Sequence, residues 1–278
     1  MRLCFGFKGS RCGSVSLLVF CLAIFPLASS KALSLGGLLF KPLTANVFEP
    51  RVGAIYEGGD NKLRLDIGTS FDFKRFDINE RLKASVGADF FTFTRLRSEG
   101  KFKFPVETSD YFFGVNSSFI YDFTDYRLSS RVRLAHISSH LVDGLSKDGV
   151  FDKKPFTYSR EFVDLILAAE KDGLRVYLGG SFIFSTIPDD VDKVVPQLGA
   201  DYEIKIYKFI GFSTGFDYKY YGSENVGQGA FQAGFKFRTS KSVSVFAACY
   251  YFDGLSAHGM SYDELDSYLG FGFQVCFY

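Results

Sequence analysis

A period-two alternation of apolar and polar residues runs through almost the whole chain after residue 50, and it commits the fold to long β-strands. Leu63, Leu65, Ile67, Thr69, Phe71 and Phe73 interleave with Lys62, Arg64, Asp66, Gly68, Ser70, Asp72 and Lys74. Leu82, Ala84, Val86, Ala88 and Phe90 then interleave with Lys83, Ser85, Gly87 and Asp89. The same reading gives about twelve segments, near 51–57, 62–75, 81–95, 110–123, 126–140, 157–170, 173–185, 195–207, 209–221, 227–238, 242–253 and 268–278. Many exceed the roughly 5–6 residues of a soluble strand and suit a tilted membrane-crossing strand of about 9–11 or more.

The connections alternate in length as well. Short ones follow the even-numbered segments, at Asp77 to Glu80, Thr124-Asp125, Lys171-Asp172-Gly173, Lys208 and Thr239. Longer polar ones follow the odd-numbered segments, as in LVDGLSKDGVFDKKPFT and DGLSAHGMSYDELDS. Tight turns at one end and long loops at the other are the asymmetry of an outer-membrane barrel, and an even strand number puts both termini at the short-turn end. Closure also removes the unpaired sheet edges that lipid would not tolerate. The expected fold is therefore all-β, a single antiparallel transmembrane β-barrel of about twelve strands over 51–278. A secreted β-sandwich is the soluble alternative, but its outward residues should be polar.

Before the barrel, Arg2, Lys8 and Arg11 precede the apolar run SVSLLVFCLAIFPLA and the small residues Ala28, Ser29 and Ser30. This pattern predicts a signal peptide over 1–30, leaving 31–50 as a pre-barrel segment. A membrane anchor is the alternative, but the run is short and ends in Pro26. Export and a closed barrel together place the protein in the outer membrane of a double-membraned bacterium. The chain ends LGFGFQVCFY, an aromatic-ended strand of the kind the outer-membrane insertion machinery recognises, with Tyr278 one position out of phase.

Losing residues 1–30 changes the balance of 32 basic and 31 acidic residues to 29 against 31. A near-neutral chain gives no electrostatic case for nucleic acid, so membrane lipid is the expected partner. Cys249 and Cys276 are the cysteines left; they could pair in an oxidising compartment, but neither forms a metal motif and both read as small apolar residues.

On the polar parity, Asp66, Arg131, Arg133, Arg160, Asp164 and Glu203 mix both signs. A narrow barrel would pair such charges across its interior, which predicts a lumen charge network and a filled core. On the apolar parity of one strand lie His136 and Ser138, in Leu134 to Leu141 (LAHISSHL). Two residues apart on a strand means one face, so the pair points outward with Val132 and Leu134. The following strand, TYSREFVDLILAAE, carries Val163, Leu165 and Leu167 outward, continued by Glu161 and Ser159. Ser138 as nucleophile, His136 as general base and Glu161 as the group orienting the imidazole compose an activated nucleophile. The bland alternative is a polar patch in the headgroup region. Asp143, Asp148 and Asp152 in the loop between these strands are the carboxylates that could hold calcium, although their order is not that of a calcium loop and solvated acids would serve as well. His258, in the last long loop, has no evident partner.

Locally, the His136-Ile137-Ser138 run and the Ser159-Arg160-Glu161 run resemble outer-membrane phospholipase A and the lipid A deacylases, barrels that carry a His-x-Ser pair on one strand's outer face and an Asn or Glu on the next. The resemblance implies a lipid acyl-ester hydrolase acting on phospholipid or lipid A. Over most of the mature chain the sequence is also similar to an uncharacterised family of exported outer-membrane barrel proteins, through Pro42-Leu43, the His136 to Leu141 segment (His-x-Ser-Ser-His-Leu) and the Tyr158 to Glu161 segment. That family implies the architecture and no particular activity. The alternative function is a non-catalytic barrel, either a narrow transporter or a surface scaffold.

Overall fold

Twelve antiparallel strands close into a barrel in the computed structural model, which describes residues 37–59, 61–240 and 243–277. The expected signal peptide at 1–30 lies outside the described residues. In chain order the strands are β1 (Val52–Glu57), β2 (Lys62–Asp77), β3 (Leu82–Arg97), β4 (Val106–Asp122), β5 (Arg127–Leu141) and β6 (Tyr158–Lys171). They continue as β7 (Leu174–Ile187), β8 (Val194–Tyr207), β9 (Ile210–Tyr221), β10 (Val226–Arg238), β11 (Val243–Leu255) and β12 (Leu265–Phe277). Each pairs with its sequence neighbours, and β1 closes the ring on β12 with Val52 opposite Val275. Both ends of the barrel sequence therefore lie at the short-turn end. β1 is short, six residues against 12 to 17 in the others.

The tight turns have the chemistry their geometry needs. Asp172 and Gly173 link β6 to β7, with Lys171 paired to Leu174 and φ of 51° and 83°. Two positive φ values make the mirror-image turn whose twist matches the strands, and Asp-Gly is the sequence that tolerates it. A Cβ on Gly173 would also stand 2.3 Å from the Glu203 carbonyl oxygen.

The alternation sorts side chains as expected. Leu165, Leu178 and Phe235 are 44, 62 and 48 % exposed on the outer wall, and Leu63, Leu65 and Val163 share that face half-buried. Asp66, Arg131, Arg133 and Asp164 are buried inside. Glu203 keeps the inward parity of Asp201 near the short-turn end of the lumen, where it is exposed and pairs with Lys236. Cys249 and Cys276 are free.

The interior is filled by the chain itself. Residues 39–51 enter from the short-turn end, reach up the lumen as far as Phe48, and return to start β1. Leu39 N–H donates to Asp72 Oδ2 at 2.8 Å, and Arg175 donates to the Lys41 and Pro42 carbonyls at 2.8 and 2.7 Å. Phe40 and Leu43 pack on Ile166, Ala168 and Tyr177, with the Arg131 guanidinium 4.8 Å from the Phe40 ring. Further up, Lys219 donates to Asn46 at 2.8 Å and Phe48 meets Phe93 edge-on. Glu49 receives Arg131 at 2.9 Å and Arg133 at 3.3 Å. Burial alone would raise the Glu49 carboxyl, but the two guanidiniums outweigh it and hold its pKa at about 2. The expected charge network is thus anchored on a residue of the pre-barrel segment. Arg133 also meets Asp89 at 3.0 Å and Asp164 at 3.7 Å, while Asp66 pairs with Arg51 and Arg64. Arg160 points inward without joining it: among the described residues no carboxylate lies within ion-pair distance of it.

Candidate active site

His136 and Glu161 are directly opposite each other on β5 and β6, and both face outward. The imidazole Nδ1 lies 2.8 Å from Glu161 Oε1, with side chains 25 and 31 % exposed. A carboxylate only accepts, so Nδ1 carries a proton and donates it, and in the neutral ring Nε2 is then the nitrogen with the free lone pair. Ser138, next along the same outer column, stands opposite Ser159 on β6 and Tyr111 on β4. Successive outward residues are about 6.6 Å apart along a strand, a gap an imidazole ring can bridge. Ser138 Oγ forms no hydrogen bond with His136 in this structure; only the acid–imidazole half of the relay is made.

Three further groups complete the site. Ser159 Oγ donates to Glu161 Oε1 at 2.8 Å, so the carboxylate is held from its own strand. The Phe113 ring lies 4.6 Å from the imidazole at an interplanar angle of 30°, covering one face of the base. On the other flank the β6–β7 register shifts: Glu161 pairs with Ser185 but Phe162 with Ile183, leaving Phe184 as the extra residue of a bulge. The bulge turns Ser185 to the outer face beside Glu161, where strict alternation would have turned it inward. Ser159 was legible from parity. Ser185 was not, since a bulge leaves no period-two mark.

Behind this wall the last long loop folds into the barrel mouth. His258 and Met260 are buried, His258 Nδ1 donates to Asp110 Oδ2 at 2.7 Å, and Gly259 N–H donates to Asp110 Oδ1 at 2.8 Å. Met260 N–H donates to Ser139 Oγ at 3.1 Å, so the residue after Ser138 holds the loop from inside. His258 therefore has a partner, 148 residues away in sequence. Burial pushes its pKa below the ordinary imidazole value, against the opposing pull of Asp110. Among the described residues no group of three or more His, Cys, Asp or Glu side chains is placed to hold a metal. Asp143, Asp148 and Asp152 are thus not gathered into one such group.

The sequence matches the family model described as "Protein of unknown function (DUF1207)" over residues 24–277. The chain belongs to the DUF1207 family. No curated protein sequence matches it. Among solved structures, this DUF1207 barrel is similar to outer membrane phospholipase A from Escherichia coli, with 14 % identity, TM-score 0.56, and coverage of 86 % of this chain and 94 % of that one. An active-site mutant of the same enzyme at pH 6.1 gives 15 % identity, TM-score 0.57 and the same coverage. The Salmonella typhi outer membrane phospholipase dimer with bound calcium gives 15 %, 0.55 and again 86 and 94 %. These neighbours are bacterial outer-membrane barrels, and at such identities the likeness establishes the fold alone.

Proposed function

We propose that the protein resides in the outer membrane and hydrolyses acyl esters of phospholipid or lipid A through Ser138, His136 and Glu161. The observation that carries this reading is the His136–Glu161 hydrogen bond on the lipid-facing wall, with Ser138 next in the same column. Such a polar pair is costly against lipid, and its position near the long-loop end of β5 supports a site at headgroup and ester depth.

The reaction follows from the tautomer. Nε2 takes the proton of Ser138 as Oγ attacks the ester carbonyl, while Glu161 stabilises the imidazolium that forms. Collapse of the tetrahedral adduct breaks the ester bond, and Nε2 returns the proton to the departing alcohol oxygen. Water, deprotonated by the same nitrogen, then cleaves the acyl-serine to a free carboxylic acid. The contact between Nε2 and Ser138 Oγ, not made in this structure, is one that forms in the substrate complex, since catalytic hydrogen bonds often tighten only there.

The alternative, a narrow transporter, is disfavoured by a lumen that residues 39–51 occupy. The deciding experiment is release of labelled fatty acid from phospholipid in mixed micelles by purified, refolded protein. Turnover by wild type that disappears in Ser138→Ala supports the hydrolase. Absence of turnover on both phospholipid and lipid A, or turnover that survives in Ser138→Ala, rules it out.

A further inference from the structure

The long-loop end of the lumen contains a cation that the charge network leaves unmatched. Arg51, Arg64, Arg95, Arg131, Arg133, Arg175, Lys219 and Lys236 each have a carboxylate within 4 Å. Arg160 has none among the described residues, and its Nε is buried without a hydrogen-bond partner. Its guanidinium lies 5.4 Å from the Tyr158 ring centroid, held by a cation–π contact that leaves the planar fork unused.

Two hollows of about 40 Å³ each adjoin it, sharing Phe48, Tyr158, Arg160, Ile183 and Tyr221 in their walls. The outer one reaches Asp192, Ser223 and Glu224 in the long loops, and the inner one ends at Gln197 and Lys219. At about 10–15 Å³ per water position, the two together accommodate roughly six water-sized groups.

We propose that Arg160 and these hollows form a binding site for a small monocarboxylate entering from the long-loop side. A guanidinium fork matches a carboxylate with two parallel hydrogen bonds, and a pair made through Nε and one Nη would satisfy the orphaned Nε. Phe48, Ile183 and Tyr221 offer apolar surface to a short hydrocarbon body. Asp164, Asp192 and Glu224 line the same hollows, so a multiply charged anion such as phosphate meets like charge on several sides. A single negative charge and a body of a few carbons is the chemistry that fits. This site lies on the inner side of the wall and is separate from the outward His136–Glu161 pair.

The test is ligand-observed saturation-transfer NMR on the folded full-length protein in detergent, with butyrate as the probe and butylamine, which has the same number of carbons, as the cation control. Saturable butyrate binding is expected, with butylamine showing none and equimolar phosphate failing to displace it. Arg160→Gln should weaken it at least tenfold, and Arg160→Lys, which keeps the charge without the fork, should fall between. Absence of saturable butyrate binding to wild type, equal binding of butylamine, displacement by phosphate, or undiminished binding by folded Arg160→Gln would each overturn the proposal. The wild-type comparison decides even where the Gln variant does not fold.

Discussion

Glu161 accepts hydrogen bonds from His136 and Ser159 at 2.8 Å each, so its carboxylate is fixed in the orientation that the proposed hydrolase needs. Catalysis by this group should be lost in steps. Ser138→Ala is expected to lower turnover by about 10³-fold or more, and His136→Ala by a similar factor, because nucleophile and base act as one unit. The double variant should then be no worse than either single one. Glu161→Gln keeps the shape and loses the charge that stabilises the imidazolium, and its expected cost is smaller than that of losing Ser138 or His136. Folding should be unaffected by Ser138→Ala, since an outward hydroxyl removes no interior packing. Initial rates on labelled phospholipid, with thermal melts alongside, separate these outcomes. Inside the lumen Glu49 makes a different kind of prediction. Its folded pKa of about 2 lies below the ordinary 4.5, so its contribution is fully present above pH 4.5 and is lost as pH falls toward 2. The difference corresponds to on the order of 3 kcal/mol. Glu49→Gln should remove this acid-dependent part, which denaturant melts between pH 5 and 2.5 would detect as a flattened pH profile.

The strands were readable from sequence because the outer wall and the lumen make opposite demands on alternate residues, and that pattern recurs strand by strand from Lys62 to Phe277. Leu165 and Asp164 show it: adjacent in sequence, one is exposed to the outside and the other buried. What alternation could not convey was any departure from it. Ser185 reaches Glu161 only through the bulge at Phe184, and the strand before it reads as regular. His258 finds Asp110 through a loop that folds inward, and no local spacing encodes a contact made across so much chain. The Ser256–Glu264 loop is held by Asp110, Ser139 and the close approach of Gly259 to Tyr158, where a Cβ would lie 2.4 Å from the ring. Gly259→Val should therefore displace it. Limited proteolysis should cleave this loop faster in the variant than in wild type, while the strands stay protected; equal protection in both would show that the loop does not depend on that contact.

At the scale of the whole molecule, the barrel is a closed wall around a segment of its own chain. Leu43, Ala45 and Val47 alternate with Thr44 and Asn46 too briefly to make a spanning strand, so sequence marked 31–50 as preceding the barrel without indicating that it fills it. Deleting residues 39–49 removes Glu49, the carboxylate that Arg131 and Arg133 share, and the lumen-filling rings of Phe40 and Phe48. Planar-bilayer recordings should find the full chain silent and the refolded deletion variant conducting in discrete steps; silence in both would mean the remaining side chains seal the lumen unaided. The same stretch leads directly into the shortest strand. β1 meets β12 over six residue pairs and β2 over five, whereas β3 and β4 share fifteen. During biogenesis a ring is expected to shut last where the fewest backbone bonds are gained, and here that junction is covalently continuous with the filling. Occupying the lumen and sealing the seam then become one step. Because β1 sits across the ring from β7, the wall that presents His136 and Glu161 would already be zipped when that step occurs.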